Sequence, residues 1–111
     1  AWTARFDRAA RDAVSRDPNG FSLARVTAFL RRADGSASGG GADVVAAVSV
    51  DGVVRAVAPA RAHAAGSLVV SAIVPEATLD PGRHAIAIHT VERAGESVVL
   101  RRAGAIEVEV P

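Results

Sequence analysis

The segment from Val44 to Ala58, VVAAVSVDGVVRAVA, decides the fold. Its first half alternates with a period of two, so that Val44, Ala46, Val48 and Val50 share one face, as in a half-buried strand. Asp51-Gly52 follows at once, and a second apolar run, Val53 to Ala58, ends at Pro59. Asp-Gly between two such runs is the strongest short-range hairpin signal, because both central residues of a type I′ turn need positive φ.

The same period extends outward. Leu68, Val70, Ala72 and Val74 form the next alternating face, closed by Pro75, after a loop of Ala, Arg and His that runs to Gly66. Asp80-Pro81-Gly82 reads as a turn in which Pro81 fixes φ and Gly82 takes the positive-φ position. His84, Ile86 and Ile88 continue on one face of a strand reaching about Arg93. Ala94-Gly95-Glu96 then turns it into Ser97–Arg102. A bulge or bend at Ala103-Gly104 separates that piece from Ile106, Val108 and Val110, which alternate with a solvated Glu107 and Glu109. Short strands at spacings of about ten residues predict an antiparallel sandwich or barrel.

Two readings of the first third stand open. Phe6, Ala9, Ala10, Ala13 and Val14 fit one helical face ending at Asp17-Pro18-Asn19-Gly20. Residues 22–34 also admit a helix, with Ser22 as N-cap and Gly35 beyond its end. These would give an α+β fold with an N-terminal helical layer on a smaller sheet. The competing reading makes Trp2–Phe6 a first strand and Phe21–Arg32 a second. The strand reading is preferred, because without it the sheet opposite the last two strands lacks its central member. Gly35 to Gly41 is a flexible surface loop either way.

Composition narrows the chemistry. The 111 residues suit one domain with one core, and half of them are apolar. With no cysteine, a disulfide scaffold, a thiol enzyme and cysteine-ligated zinc are excluded. No apolar run reaches the roughly 18 residues of a membrane span, and nothing reads as a signal peptide. The chain opens at Ala1 and is expected to be a fragment of a larger protein. Net charge is only +1, from an all-arginine basic set nearly balanced by carboxylates. Arg5, Arg8, Arg11 and Arg16 alternate with Asp7, Asp12 and Asp17, which reads as a mixed solvated surface and not as a nucleic-acid interface.

No catalytic, cofactor or metal site emerges. His84 and His89 lie five apart on one strand, point to opposite faces and cannot share a metal, while His63 stands in a loop. Glu107 and Glu109 share an outer face with no aromatic sugar platform near them in sequence. There is no Gly-x-Ser-x-Gly elbow, and the glycine run at 39–41 lacks the Lys that a phosphate loop needs. Asp51 and Gly52 are accounted for by turn chemistry.

Val48–Val110 resembles bacterial immunoglobulin-like, or fibronectin type III-like, accessory domains. The carriers are Ser49-Val50-Asp51-Gly52-Val53-Val54, Ile73-Val74-Pro75, Leu79-Asp80-Pro81-Gly82-Arg83-His84 and Ile106-Glu107-Val108-Glu109-Val110. The resemblance implies an immunoglobulin-like antiparallel β-sandwich of about seven strands. It further implies a non-catalytic module that spaces or docks a neighbouring domain of an exported or membrane-anchored protein, outside the cytoplasm. In such sandwiches a Tyr near the start of the penultimate strand bonds back to the preceding corner, and His84 stands in that place, where its imidazole is expected to bond a backbone carbonyl of the corner. The second expectation is a carbohydrate-binding module of a cell-envelope sugar-active protein, with Trp2, Arg61 and His63 meeting the polysaccharide. The absence of Lys and the dominance of Ala, Arg, Val and Gly suggest a GC-rich bacterial genome.

Overall fold

The structure is a computed structural model that describes residues 2–6, 14–16, 23–32, 44–63, 66–75 and 81–110. All of its regular elements are strands: β1 (Trp2–Phe6), β2 (Val14–Arg16), β3 (Leu23–Arg32), β4 (Val45–Val50), β5 (Val53–Pro59), β6 (Arg61–Ala62), β7 (Leu68–Pro75), β8 (Gly82–Ala94) and β9 (Ser97–Val110). They form two antiparallel sheets. Sheet A has the order β1-β3-β7-β6, with β2 beside β1 along the same edge of β3, and sheet B has the order β5-β4-β8-β9.

The chain is thus an all-β sandwich. Leu23–Arg32 is the central strand of sheet A, not a helix, because it must supply the inner face opposite β8. The helical reading of 6–16 ends at Phe6 in β1 and resumes at Val14 in β2, both extended, while the residues between them lie outside the described ones. The Gly35–Gly41 loop also lies outside the described residues.

The decisive hairpin forms as its sequence dictates. Val50 pairs with Val53, and Asp51 and Gly52 turn the chain at φ values of 51° and 85°, the left-handed pair of a type I′ turn. The register shifts between Val48 and Ser49, which leaves Arg55 as the extra residue of a bulge in β5. A second shift, opposite Ile88/His89, places Ala103 as the extra residue of β9. The bend expected at Ala103-Gly104 is therefore a bulge within one long strand. Arg61-Ala62 departs from the loop reading, since the pair hydrogen-bonds as a short edge strand along Leu68-Val69.

Alternation sorts the side chains. Val26, Ala28 and Leu30 from β3 meet Leu68, Val70, Ala72 and Val74 from β7 on the inner face of sheet A. Ala46, Val48, Val50, Ile86, Ile88 and Val108 line sheet B, with Ile106 partly buried against the same core. Burying each Val, Leu or Ile contributes about 1.5–3 kcal/mol. The interleaved alanines let the sheets lie close. At one seam the approach is closest: a Cβ on Gly104 would stand 2.7 Å from the carbonyl oxygen of Ala4, so β9 passes β1 there only as glycine.

Candidate functional site

The two outer faces, not the core, carry the polar chemistry, and they differ. On sheet A the outward positions are Thr3 and Arg5 of β1, Arg25, Thr27, Phe29 and Arg31 of β3, Val69, Ser71 and Ile73 of β7, and Arg61 of β6. Register places Arg5, Phe29, Val69 and Arg61 in one row across four strands. At about 4.8 Å per strand that row spans about 14 Å, and Arg25 and Arg31 stand about 20 Å apart along β3.

An open cleft of about 660 Å³ lies at the Arg5–Phe29 end of this row, lined by Thr3, Ala4, Arg5, Phe29, Arg31, His63 and Ser67. The His63 ring lies 4.8 Å from the ring of Phe29, and the Arg5 guanidinium stands 6.0 Å from the Phe29 centroid. A smaller hollow of about 290 Å³ lies between Arg25, Pro59, Arg61, Val69 and Ser71. There Arg25 Nη1 donates to Ser71 Oγ at 2.8 Å. Among the described residues, no carboxylate occurs on any strand of sheet A, whereas Asp51, Glu92, Glu96, Glu107 and Glu109 all belong to sheet B and its turns. Correspondingly, the described ion pairs, Arg83–Glu107 at 3.7 Å, His84–Asp51 at 2.7 Å and Arg101–Glu92 at 2.7 Å, all lie on sheet B.

The residues expected to meet a ligand are therefore divided. Arg61 and His63 border the cationic face of sheet A. Trp2 does not: it points inward, packs against the core, and is capped by Arg32 with its guanidinium carbon 4.9 Å from the ring. Phe29, Arg25 and Arg31 join the site without having been singled out, and Arg5, read from the sequence only as part of a mixed solvated surface, joins them. The signal lay in the alternation Arg25-Thr27-Phe29-Arg31, opposite the buried Val26, Ala28 and Leu30.

The structural residues cluster at one end of sheet B. Asp51 Oδ2 accepts from His84 Nδ1 at 2.7 Å, Oδ1 accepts from the Ala85 amide at 2.9 Å, and the Asp51 amide donates to the Ala85 carbonyl at 2.8 Å. The turn aspartate thereby extends the β4–β8 ladder beyond its last pair, Val50–Ile86. These bonds, the one from His84 first, hold the Asp51 carboxyl below its ordinary value. The described partner of the imidazole is this carboxylate; Leu79 and Asp80, where a bond to the corner backbone was expected, lie outside the described residues. Gly82 takes the positive φ expected of it, 128°, and Pro81 before it is exposed.

The outer face of sheet B is mostly apolar. Pro59, Val45, Val91 and Leu100 stand in one row across its four strands. One pleat away, Ser49 Oγ and His89 Nε2 share a hydrogen bond of 2.9 Å, with Arg102 paired opposite His89. Partial burial, and secondarily the Arg102 charge, lower the His89 pKa. No group of three or more metal-ligating side chains occurs among the described residues. No family model, no curated protein and no solved structure matches this chain.

Proposed function

We propose that the chain is a non-catalytic accessory module of the immunoglobulin-like or fibronectin type III-like kind, which spaces or docks a neighbouring domain of an exported bacterial protein outside the cytoplasm. The observation that carries this reading is the course of the chain. Trp2, at the start of β1, pairs with Arg32 at one end of the sandwich, and Val110, at the finish of β9, pairs with Gly82 at the other. Flanking chain would thus leave from opposite ends of the strands, which is the arrangement a spacer needs. The strand order supports the family reading: β1, β3 and β7 take the places of strands A, B and E, and β4, β8 and β9 those of C, F and G. The extracytoplasmic and bacterial parts rest on the resemblance and composition. Two copies joined head to tail test the spacer directly by small-angle scattering. A maximum dimension near twice that of one copy is expected; a folded-back pair no longer than one copy overturns the reading.

A second reading, a carbohydrate-binding module, is favoured by one observation, the cationic outer face of sheet A, with its open cleft lined by His63 and its smaller hollow lined by Arg61. In this reading Trp2 serves the core, and the sugar is met by the outer face of sheet A.

A further inference from the structure

We infer that the outer face of sheet A binds an acidic polysaccharide, recognised through its carboxylates by Arg5, Arg31 and Arg61; the inference deepens the carbohydrate-binding reading and rests on it. The first ground is charge. Arginines from three different strands converge on one flat face while, among the described residues, every carboxylate lies on sheet B or its turns. The described charges thus divide into a single-sign face and a mixed one, while Asp7, Asp12, Asp17, Asp34, Asp43, Glu76 and Asp80 lie outside the described residues. Arg5, Arg31 and Arg61 form no described ion pair, so their forks remain able to take a carboxylate in the bidentate geometry that guanidinium favours.

Shape selects among anionic partners. The cleft is open to solvent, and the arginines are spread over a patch of about 14 by 20 Å, which suits an extended polymer lying over several cations. A single-stranded nucleic acid would use open aromatic rings for base stacking. Phe29 is the one aromatic residue of the row, and its ring already meets His63 and Arg5. Hydroxyls stand among the cations instead. Ser71 Oγ accepts from Arg25 and keeps its own proton to donate, and Thr3, whose hydroxyl donates to the Arg31 carbonyl at 3.4 Å and can still accept, lines the same cleft as Arg5 and Arg31. Charge for the carboxylates and hydroxyl groups for the sugar are what an acidic glycan requires.

The test titrates the full chain with polygalacturonate in low salt, beside fully methyl-esterified polygalacturonate, single-stranded DNA and polyglutamate. Polygalacturonate is expected to bind best and to weaken about tenfold or more as salt screens the contacts. Arg5→Ala, Arg31→Ala and Arg61→Ala are each expected to weaken it by about three- to tenfold, as loss of a charge-assisted contact does. Arg102→Ala, on the outer face of sheet B, is expected to leave it unchanged. Circular dichroism of each variant separates lost binding from lost folding. Equal binding of the neutral ester, unaffected by the arginine variants, overturns the inference and leaves the carbohydrate reading standing. Tighter binding of DNA or polyglutamate, or no binding of any polymer, overturns it. Shortening of the polygalacturonate chains over hours would overturn the non-catalytic reading instead.

Discussion

The outer faces of the two sheets are made from the same kind of strand and end with opposite characters. That of sheet A carries Arg5, Arg25, Arg31 and Arg61 around Phe29 and Val69, whereas that of sheet B carries Pro59, Val45, Val91 and Leu100 in a row, with ion pairs kept to the long β8–β9 hairpin and to the Asp51 turn. A near-zero net charge therefore says little about any one surface. In a sandwich, period-two alternation assigns each residue to an inner or an outer face, and the strand order then decides which outer faces join. Charges close together in the sequence are parted by this, and distant ones are collected.

The comparison is sharpest if the two sheets differ only on their outsides. Leu30 in sheet A and Ile86 in sheet B are both fully buried and face each other's layer. Truncating either to alanine is expected to cost about 2–5 kcal/mol, from lost transfer energy plus the cavity left behind. Denaturant titration of Leu30→Ala and Ile86→Ala checks this. A cost below about 1 kcal/mol at Ile86 would remove it from the core and break the register on which both faces depend. A somewhat smaller effect is expected at the seam that joins the sheets. Gly104→Ala sets a methyl group against the Ala4 carbonyl, a backbone atom that cannot swing aside, and is expected to cost about 1–3 kcal/mol by overpacking. Full wild-type stability in that variant would mean that β1 does not lie over β9, and the left edge of the cationic face would move with it.

Most of the scaffold was legible in the sequence because its rules are local. Asp51-Gly52, Pro59 and Pro75 mark ends and turns through backbone geometry alone, and the alternating runs that they bound became β4, β5 and β7 with nearly the same limits. The segment from Leu23 to Arg32 was harder, since LARVTAFLRR contains good helix formers and its strand character is imposed by the sheets that need it. The candidate site was less legible still. Phe29 and Arg5 are brought side by side by the pairing of β1 with β3, across 23 intervening residues, and Arg61 joins them only through β7. Nothing local in the sequence announces such a row. Trp2 drew notice as the only tryptophan, but position parity, not residue type, turned it inward.

The smallest expected effects divide the outer faces most finely, because each face holds one serine bonded to a cationic or titratable partner. Ser49 is buried, and its bond to His89 lies within an apolar surround; Ser71 is exposed, and its bond to Arg25 is open to water. Removing a hydroxyl in the first setting strands the imidazole nitrogen, so Ser49→Ala is expected to cost about 1 kcal/mol. In the second, water replaces the lost partner, and Ser71→Ala is expected to fall within about 0.5 kcal/mol of the parent. Acid separates the two further. The His89 pKa is lowered from 6.5, so the unfolded chain takes up that proton first. The stability that His89 contributes is complete above pH 6.5 and is lost as pH falls through its lower folded value. Replacing His89 with glutamine should abolish this loss, measured as the change in denaturation midpoint from pH 7.5 downward, while Ser71→Ala should leave it intact. A loss that persists after His89→Gln would place the titrating group elsewhere.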